Sequence, residues 1–229
     1  MRRFLESNNL SRGLMLALVA TLGSAVYLAY EYLVAQRGYV EVHLPGGSVT
    51  ARFARDVLGA FVALFISSTA GFAWARGGRL VGFGSWRRVR GDLVLIVPLG
   101  AAIALLTVFV LEPWLYGPLS AEVHNPFKPL GVVFFEEVVC RWGILAIAFR
   151  LSRSVAAAVI VSAAFNVIVA LPAIEMHGGA LETWRLVGIM GVKFLLAIGY
   201  AVFYVHKGLL STMALRFVAS LPEPVMAVL

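Results

Sequence analysis

Read from one end, the chain gathers its apolar residues into long runs, separated by short stretches rich in Arg, Gly and Pro. A helix of about 20 apolar residues matches the roughly 30 Å hydrocarbon core of a bilayer. On that measure the pattern predicts spans at about Leu14–Ala35, Val57–Ala75, Leu93–Leu111, Gly131–Phe149, Val155–Ile174 and Leu186–Val205. A seventh run, Leu209–Leu221, rises only about 20 Å. It is therefore expected as a partial span or as a helix buried among the others, ended by Pro222 and Pro224. Pro98 falls inside the third span, where neighbouring helices can satisfy the freed carbonyl. Between the first two spans lies a polar loop, Arg37–Asp56. The alternation in Tyr39–Leu44, the Pro45-Gly46-Gly47 break and Val49–Arg52 predict a small hairpin there, outside the bilayer. Loops are expected at Arg76–Asp92, Glu112–Leu130 and Glu175–Arg185, with Trp114 and Tyr116 at the membrane interface. A tight basic turn at Arg150–Ser154 should set the fourth and fifth spans antiparallel. The fold expected is an all-α integral membrane protein, a bundle of six to seven transmembrane helices. Its parts are a two-span N-terminal region with an extramembrane loop (1–92), a helical core (93–221) and a short tail (222–229).

Composition agrees. Of 229 residues 61% are hydrophobic and 14% charged, and the mean hydropathy is +0.89, which excludes an ordinary soluble domain. The net charge of +7 comes largely from Arg in short loops beside apolar runs. Anionic lipid headgroups and topology account for it, and no nucleic-acid partner is expected. With the N-terminus inside, the inner segments hold 11 Lys and Arg, and the outer loops hold 5: Arg37, Arg52, Arg55, Lys128 and Arg185. That bias places the N-terminus in the cytoplasm. The single cysteine, Cys140, lies in an apolar run and reads as a small buried hydrophobe; it rules out an internal disulfide. Met1–Gly13 is basic, but the run after it is too long for a cleavable signal peptide.

The chemistry concentrates in Gly131–Phe149, GVVFFEEVVCRWGILAIAF. This run is apolar enough to span, yet it carries Glu136, Glu137 and Arg141. Each ionisable group near a bilayer centre costs about 2.5–3.5 kcal/mol on insertion scales. Glu137 and Arg141, four apart, share a helical face and can pair. Glu136 lies about 100° round the helix and is left to face something else. Two readings are open: a functional site, or a buried ion pair that locks helix packing.

The string Glu136-Glu137-x-x-x-Arg141-Trp142-Gly143 resembles the EExxxR(W/F)G signature of the CPBP family, the CAAX-protease and bacteriocin-processing intramembrane peptidases, also called the Abi family. Gly199–Leu221, GYAVFYVHKGLLSTMALRFVASL, is similar to the closing segment of that family, in which an aromatic-rich helix reaches a Gly-Leu turn and then a short helix. The resemblance covers about Leu93–Leu221. It implies an endopeptidase site within a prokaryotic cell membrane. There the first motif Glu activates a water, two His residues on later helices hold or polarise the reacting groups, and an Asn or Asp one turn after the last His completes the site. A carboxylate in a low-dielectric pocket can serve as such a base, and nearby donors can stabilise the oxyanion.

The chain departs from that pattern at both histidines. The second motif, FxxxH, begins at Phe165 and places Val169 where the His belongs, or Ala170 if the register slips by one. Counted from Gly208, the third motif puts Arg216 at the other His position and Ser220 at the Asn or Asp position. Possible substitutes are Asn166, which can donate a hydrogen bond, and His177, which follows the fifth span. Asn166 also reads as a bundle-packing residue, and His177 as a solvated loop histidine. His43, His124 and His206 have no helical His or carboxylate partner, and no metal or cofactor is expected. Lys193, in mid-span, is expected to snorkel, to pair with a glutamate or to line a cavity.

Two functions follow. One is a relative with impaired or absent peptidase activity that binds a membrane-embedded or prenylated peptide or a partner protein. The other is an active endopeptidase of glutamic or metallo type with Glu136 as base and Glu137 and Arg141 beside it. A transporter is a weaker third reading, since no inverted repeat is visible. The spacing also makes a geometric expectation. Arg216 keeps its charge when buried and must find an anion, and the later spans offer only Glu136 and Glu137. With Glu137 taken by Arg141, Arg216 should pair with Glu136; the alternative is that it snorkels to the headgroups. Small residues at Gly143, Ala163, Ala164, Gly188 and Gly191 are expected to let the helices approach around Glu136.

Overall fold

The computed structural model describes residues 7–36, 49–75, 80, 82–111, 126–177 and 183–221, and every element among them is helical. In order these are α1 (Ser7–Gln36), α2 (Val49–Trp74) and α3 (Trp86–Leu106), which continues into a π-helical stretch, π1 (Thr107–Leu111). Next come α4 (Lys128–Glu136), a second π-helical stretch, π2 (Glu137–Ile144), and α5 (Leu145–Ser152), which run on as one rod. Then follow α6 (Val155–His177), α7 (Thr183–Lys207) and α8 (Leu209–Ala219). Four helices are long and apolar enough to cross a membrane: Asn8–Leu33, Thr50–Trp74, Trp86–Leu111 and Thr183–Lys207. Val155–Leu171 and Leu209–Ala219 are shorter apolar helices. The chain is an integral membrane protein.

Helices overrun the apolar runs that announced them. α2 starts at Val49, so Val49–Arg52 is helix and not the second strand of a hairpin; the partner segment Tyr39–Leu44 lies outside the described residues. The helix can extend because its polar first turns are satisfied by α1. Asp56 accepts a 2.7 Å hydrogen bond from Tyr32 Oη and pairs with Arg55 Nε at 3.1 Å, and Tyr32 stacks edge-on against Phe53. α6 likewise runs through Glu175 to His177, and α7 starts at Thr183, which shortens the expected loop from both sides. α3 begins at Trp86 because Ser85 caps it, its Oγ accepting from Arg88 N at 3.3 Å.

The core is built on π2. Trp142 is fully buried, donates from Nε1 to the Ser68 carbonyl at 3.2 Å, and meets Phe72, Phe83 and Tyr204 edge-on at 5.2–6.4 Å. Its indole occupies the place a β-carbon on Gly71 would need, and Gly143 meets Ser67 in the same close manner. These contacts press α2 onto the motif helix. α1 packs on α4 through Gly131 against Tyr27 and Gly23 against the Leu130 carbonyl. The tight turn at Arg153, with φ at 55°, folds α6 back on α5, and there Ser162 Oγ donates to the Cys140 carbonyl at 2.8 Å. Of the small residues expected at helix contacts, Gly143 and the buried Ala163 serve that purpose, but Gly191 faces open space.

At the end of the bundle that carries the α7–α8 turn, α3, α7 and α8 are fastened together. Asp92 takes Lys207 Nζ at 2.7 Å and Ser211 Oγ at 3.0 Å. The turn itself needs Gly208, at φ 90°, and the amides of Leu209 and Leu210 donate to the Gly82 and Phe83 carbonyls at 3.1 Å. From there α8 climbs along α3, with Gly100 admitting Val218.

The wedge at Trp142 makes a prediction. Gly71→Ala drives a methyl into the indole, an overpacking that costs about 1–3 kcal/mol. The melting temperature in detergent should fall, whereas Gly191→Ala, in open space, should leave it unchanged.

Candidate functional site

Three residues of the motif stand at the junction of α4 and π2. In a π-helix the carbonyl of one residue is bonded by the amide five residues on, so the rod is wider and its side chains fall out of α register. Here Leu145 N donates to Cys140 O, and the Arg141 side chain reaches back five residues to the Glu136 carbonyl at 3.4 Å. The sequence pattern read this stretch as an ordinary α-helix; the π geometry is a correction. Its physical sources are the Trp142 wedge and the Ser162 hydroxyl, which anchor the stretch from two neighbouring helices.

Glu137 and Arg141 form the expected pair, with Nη1 3.5 Å from Oε1 and 1% or less of either side chain exposed. Neither Glu137 oxygen accepts a hydrogen bond among the described residues, so charge rather than bond geometry holds the pair. Arg141 also lies 4.0 Å from Glu136 Oε2 and therefore serves both carboxylates.

Glu136 points away from that pair, toward α6, α7 and α8. Arg216 Nη2 donates to its Oε2 at 2.7 Å, the distance of a strong charge-assisted bond. The Arg216 guanidinium lies 4.8 Å from the centre of the Tyr200 ring, and Arg141 lies 5.8 Å from the same centre, so two cations share one aromatic ring. Lys193 from α7 adds its charge, and the Asn166 amide from α6 stands beside the carboxylate. Asn166 also donates to Cys140 Sγ at 3.6 Å. Cys140 is buried, as expected of it.

The other motif positions take structural places. Phe165 is half-buried against the Trp142 cluster, and Val169 is half-buried on α6. Ser220 caps α8 by donating to the Arg216 carbonyl at 2.9 Å. His206 Nδ1 bonds the Val202 carbonyl at 2.9 Å on the exposed side of α7. His177 is the last residue of α6, its side chain outside the described set; His43 and His124 also lie outside it. Ser162 and Asp92 belong to no motif, and Tyr200, although inside the aromatic-rich closing segment, was not singled out there by any spacing.

Chemically, Glu136 is surrounded by two guanidinium groups, an ammonium and an amide. That donor set suits an anion and repels a cation, so the residues do not fit a metal bound at Glu136. Among the described residues no three His, Cys, Asp or Glu side chains converge. No protein-family model, curated protein or solved structure matches the chain.

Arg141 is the joint of this network, so Arg141→Ala should leave Glu137 buried and uncompensated. The expected loss is about 3–5 kcal/mol of stability. A melt in detergent measures it, and replacing Glu137 and Arg141 together with apolar residues of similar volume should recover most of the loss.

Proposed function

We propose that this chain is a CPBP-like intramembrane protein in which hydrolysis has been lost and the fold is kept to bind a partner within the membrane. The single observation that carries this reading is the 2.7 Å bridge between Arg216 and Glu136. A general base needs an oxygen free to take a proton from water. Here an arginine that never gives up its charge occupies one of the two carboxylate oxygens, Oε2, from the position where the family motif has histidine. Val169 offers no donor at the other histidine position. The resemblance to the family rests on the Glu136-Glu137-x-x-x-Arg141-Trp142-Gly143 string and on the Gly-Leu turn before α8.

In this reading the bundle crosses the membrane six times, with α4 to α5 and α6 completing the count, and α8 is a seventh, half-length helix. The N-terminus is cytoplasmic and the membrane is that of a prokaryotic cell. The partner is a membrane-embedded or prenylated peptide, or a partner protein, set among membrane lipid. An active peptidase with Glu136 as base remains the second reading, favoured by the 15% of the Glu136 side chain still open to solvent.

The deciding experiment is cleavage of prenylated and unprenylated membrane peptides by the purified protein in lipid nanodiscs. The expected rate is no greater than that of Glu136→Gln. Cleavage by the natural sequence that disappears in Glu136→Gln would overturn the reading.

A further inference from the structure

Arg141 uses only half of its guanidinium. Its Nη1 reaches the Glu136 carbonyl and lies within 4.0 Å of both carboxylates. Its Nε and Nη2 form the edge with which a guanidinium grips an anion through two parallel bonds. Both are buried, and neither bonds to any acceptor among the described residues. The side chain is 1% exposed, so surface water does not serve that edge. A donor left unmet in such a place is costly, the more so on a charged group.

The neighbourhood is rich in donors and in positive charge. Arg141 and Arg216 lie 5.8 and 4.8 Å from the centre of one ring, that of Tyr200. Arg216 Nε and the Tyr200 hydroxyl are likewise buried without a hydrogen bond among the described residues. Lys193 stands two turns before Tyr200 along the same face of α7, and its charge acts on Glu136. Three cations thus surround two carboxylates, Glu136 and Glu137. Asp92 on α3 is already taken by Lys207 and Ser211. Like charges gathered in a low-dielectric interior repel strongly, and one further negative charge beside the ring relieves them.

We infer that the network binds one chloride ion, held by the Nε–Nη2 edge of Arg141 beside the Tyr200 ring. Charge sets the valence, since one monovalent anion brings three cations and two carboxylates to neutrality. Burial sets the size. Tyr200 is 2% exposed, and an edge sealed beside it suits a monatomic ion better than a carboxylate or phosphate with a chain attached. Chloride asks only for donors, which is what the edge offers, and it sheds its hydration shell at lower cost than fluoride. The way in is the Glu136–Arg216 pair, whose side chains keep 15% and 21% open. The ion displaces neither glutamate from its arginine.

The site is independent of whether the chain cleaves peptides, so neither result bears on the other. The protein in a non-ionic detergent is titrated with sodium chloride against sodium gluconate at constant ionic strength, and the chlorine NMR line width and the melting temperature are read. The natural sequence should show a saturable excess line width that bromide reverses, and a melting temperature that rises with chloride. Lys193→Met removes the surplus charge and should bind chloride about tenfold more weakly, the effect of one charge about 10 Å away at an effective dielectric constant of about 20. Arg141→Lys keeps the charge but has no two-bond edge, and should lose the excess line width. If Arg141→Lys does not melt cooperatively, Lys193→Met decides alone. Equal stabilisation by gluconate, or no excess line width, would overturn the inference and leave ordered water at the edge. So would full chloride affinity in Lys193→Met or in a folded Arg141→Lys.

Discussion

Four charged side chains, two carboxylates and two guanidinium groups, are threaded through apolar helices where none can stand alone. Arg141 lies within 4.0 Å of both glutamates, and Arg216 closes the line on Glu136 at 2.7 Å. Ion pairs of this kind contribute little net stability against an apolar core, but breaking one is costly because the remaining charge stays buried. Their effect is to fix positions. The pairs tie α4, π2 and α8 to one another at these four positions, and the asymmetry between stabilising and specifying is what the network exploits.

The network depends in turn on packing that contains no charge. Trp142 follows Arg141 directly, and its indole is locked between Gly71, Phe72, Phe83 and Tyr204. Because the tryptophan cannot turn, neither can the two glutamates one turn earlier. The π geometry belongs to the same constraint: with Trp142 and Cys140 O each held by another helix, the rod between them accommodates the wider hydrogen-bond pattern. α2, which carries no residue of the motif, is therefore part of what aims Glu136. The latch of Lys207 and Ser211 on Asp92 does for α8 what Trp142 does for π2: it sets the base of the helix so that Arg216, two turns on, arrives beside Glu136.

Much of this was legible in the sequence, for one reason. In a membrane the rule that charges must be paired leaves few solutions, so the i, i+4 spacing of Glu137 and Arg141 and the shortage of anions near Arg216 were enough to pair all four. What was not legible follows from rules that act between helices. The hairpin expected at Val49–Arg52 rested on local alternation, which the Tyr32–Asp56 bond overrides. Helix ends were drawn at the edge of apolarity, although caps such as Ser85 lie beyond it. The π register, the Tyr200 ring between two arginines and the Asp92 latch depend on neighbours far away in the chain, and none leaves a periodic trace. Gly191 shows the reverse failure: a small residue in a helix invites a contact, and here none is made.

The separation of Glu136 from Arg216 along the chain, 80 residues, has a consequence for biogenesis. A chain inserted from its N-terminus commits Glu136 to the bilayer long before its strongest counter-ion has been synthesised. Until α8 arrives, that carboxylate has Arg141 at 4.0 Å and, once α6 and α7 are in place, only the Asn166 amide and the Lys193 charge beside it. Neutralisation is thus the closing event of assembly, and an incomplete molecule differs from a complete one by an exposed intramembrane acid. A membrane quality-control protease that samples polar groups in helices would have, in this one side chain, a way to tell the unfinished bundle from the finished one.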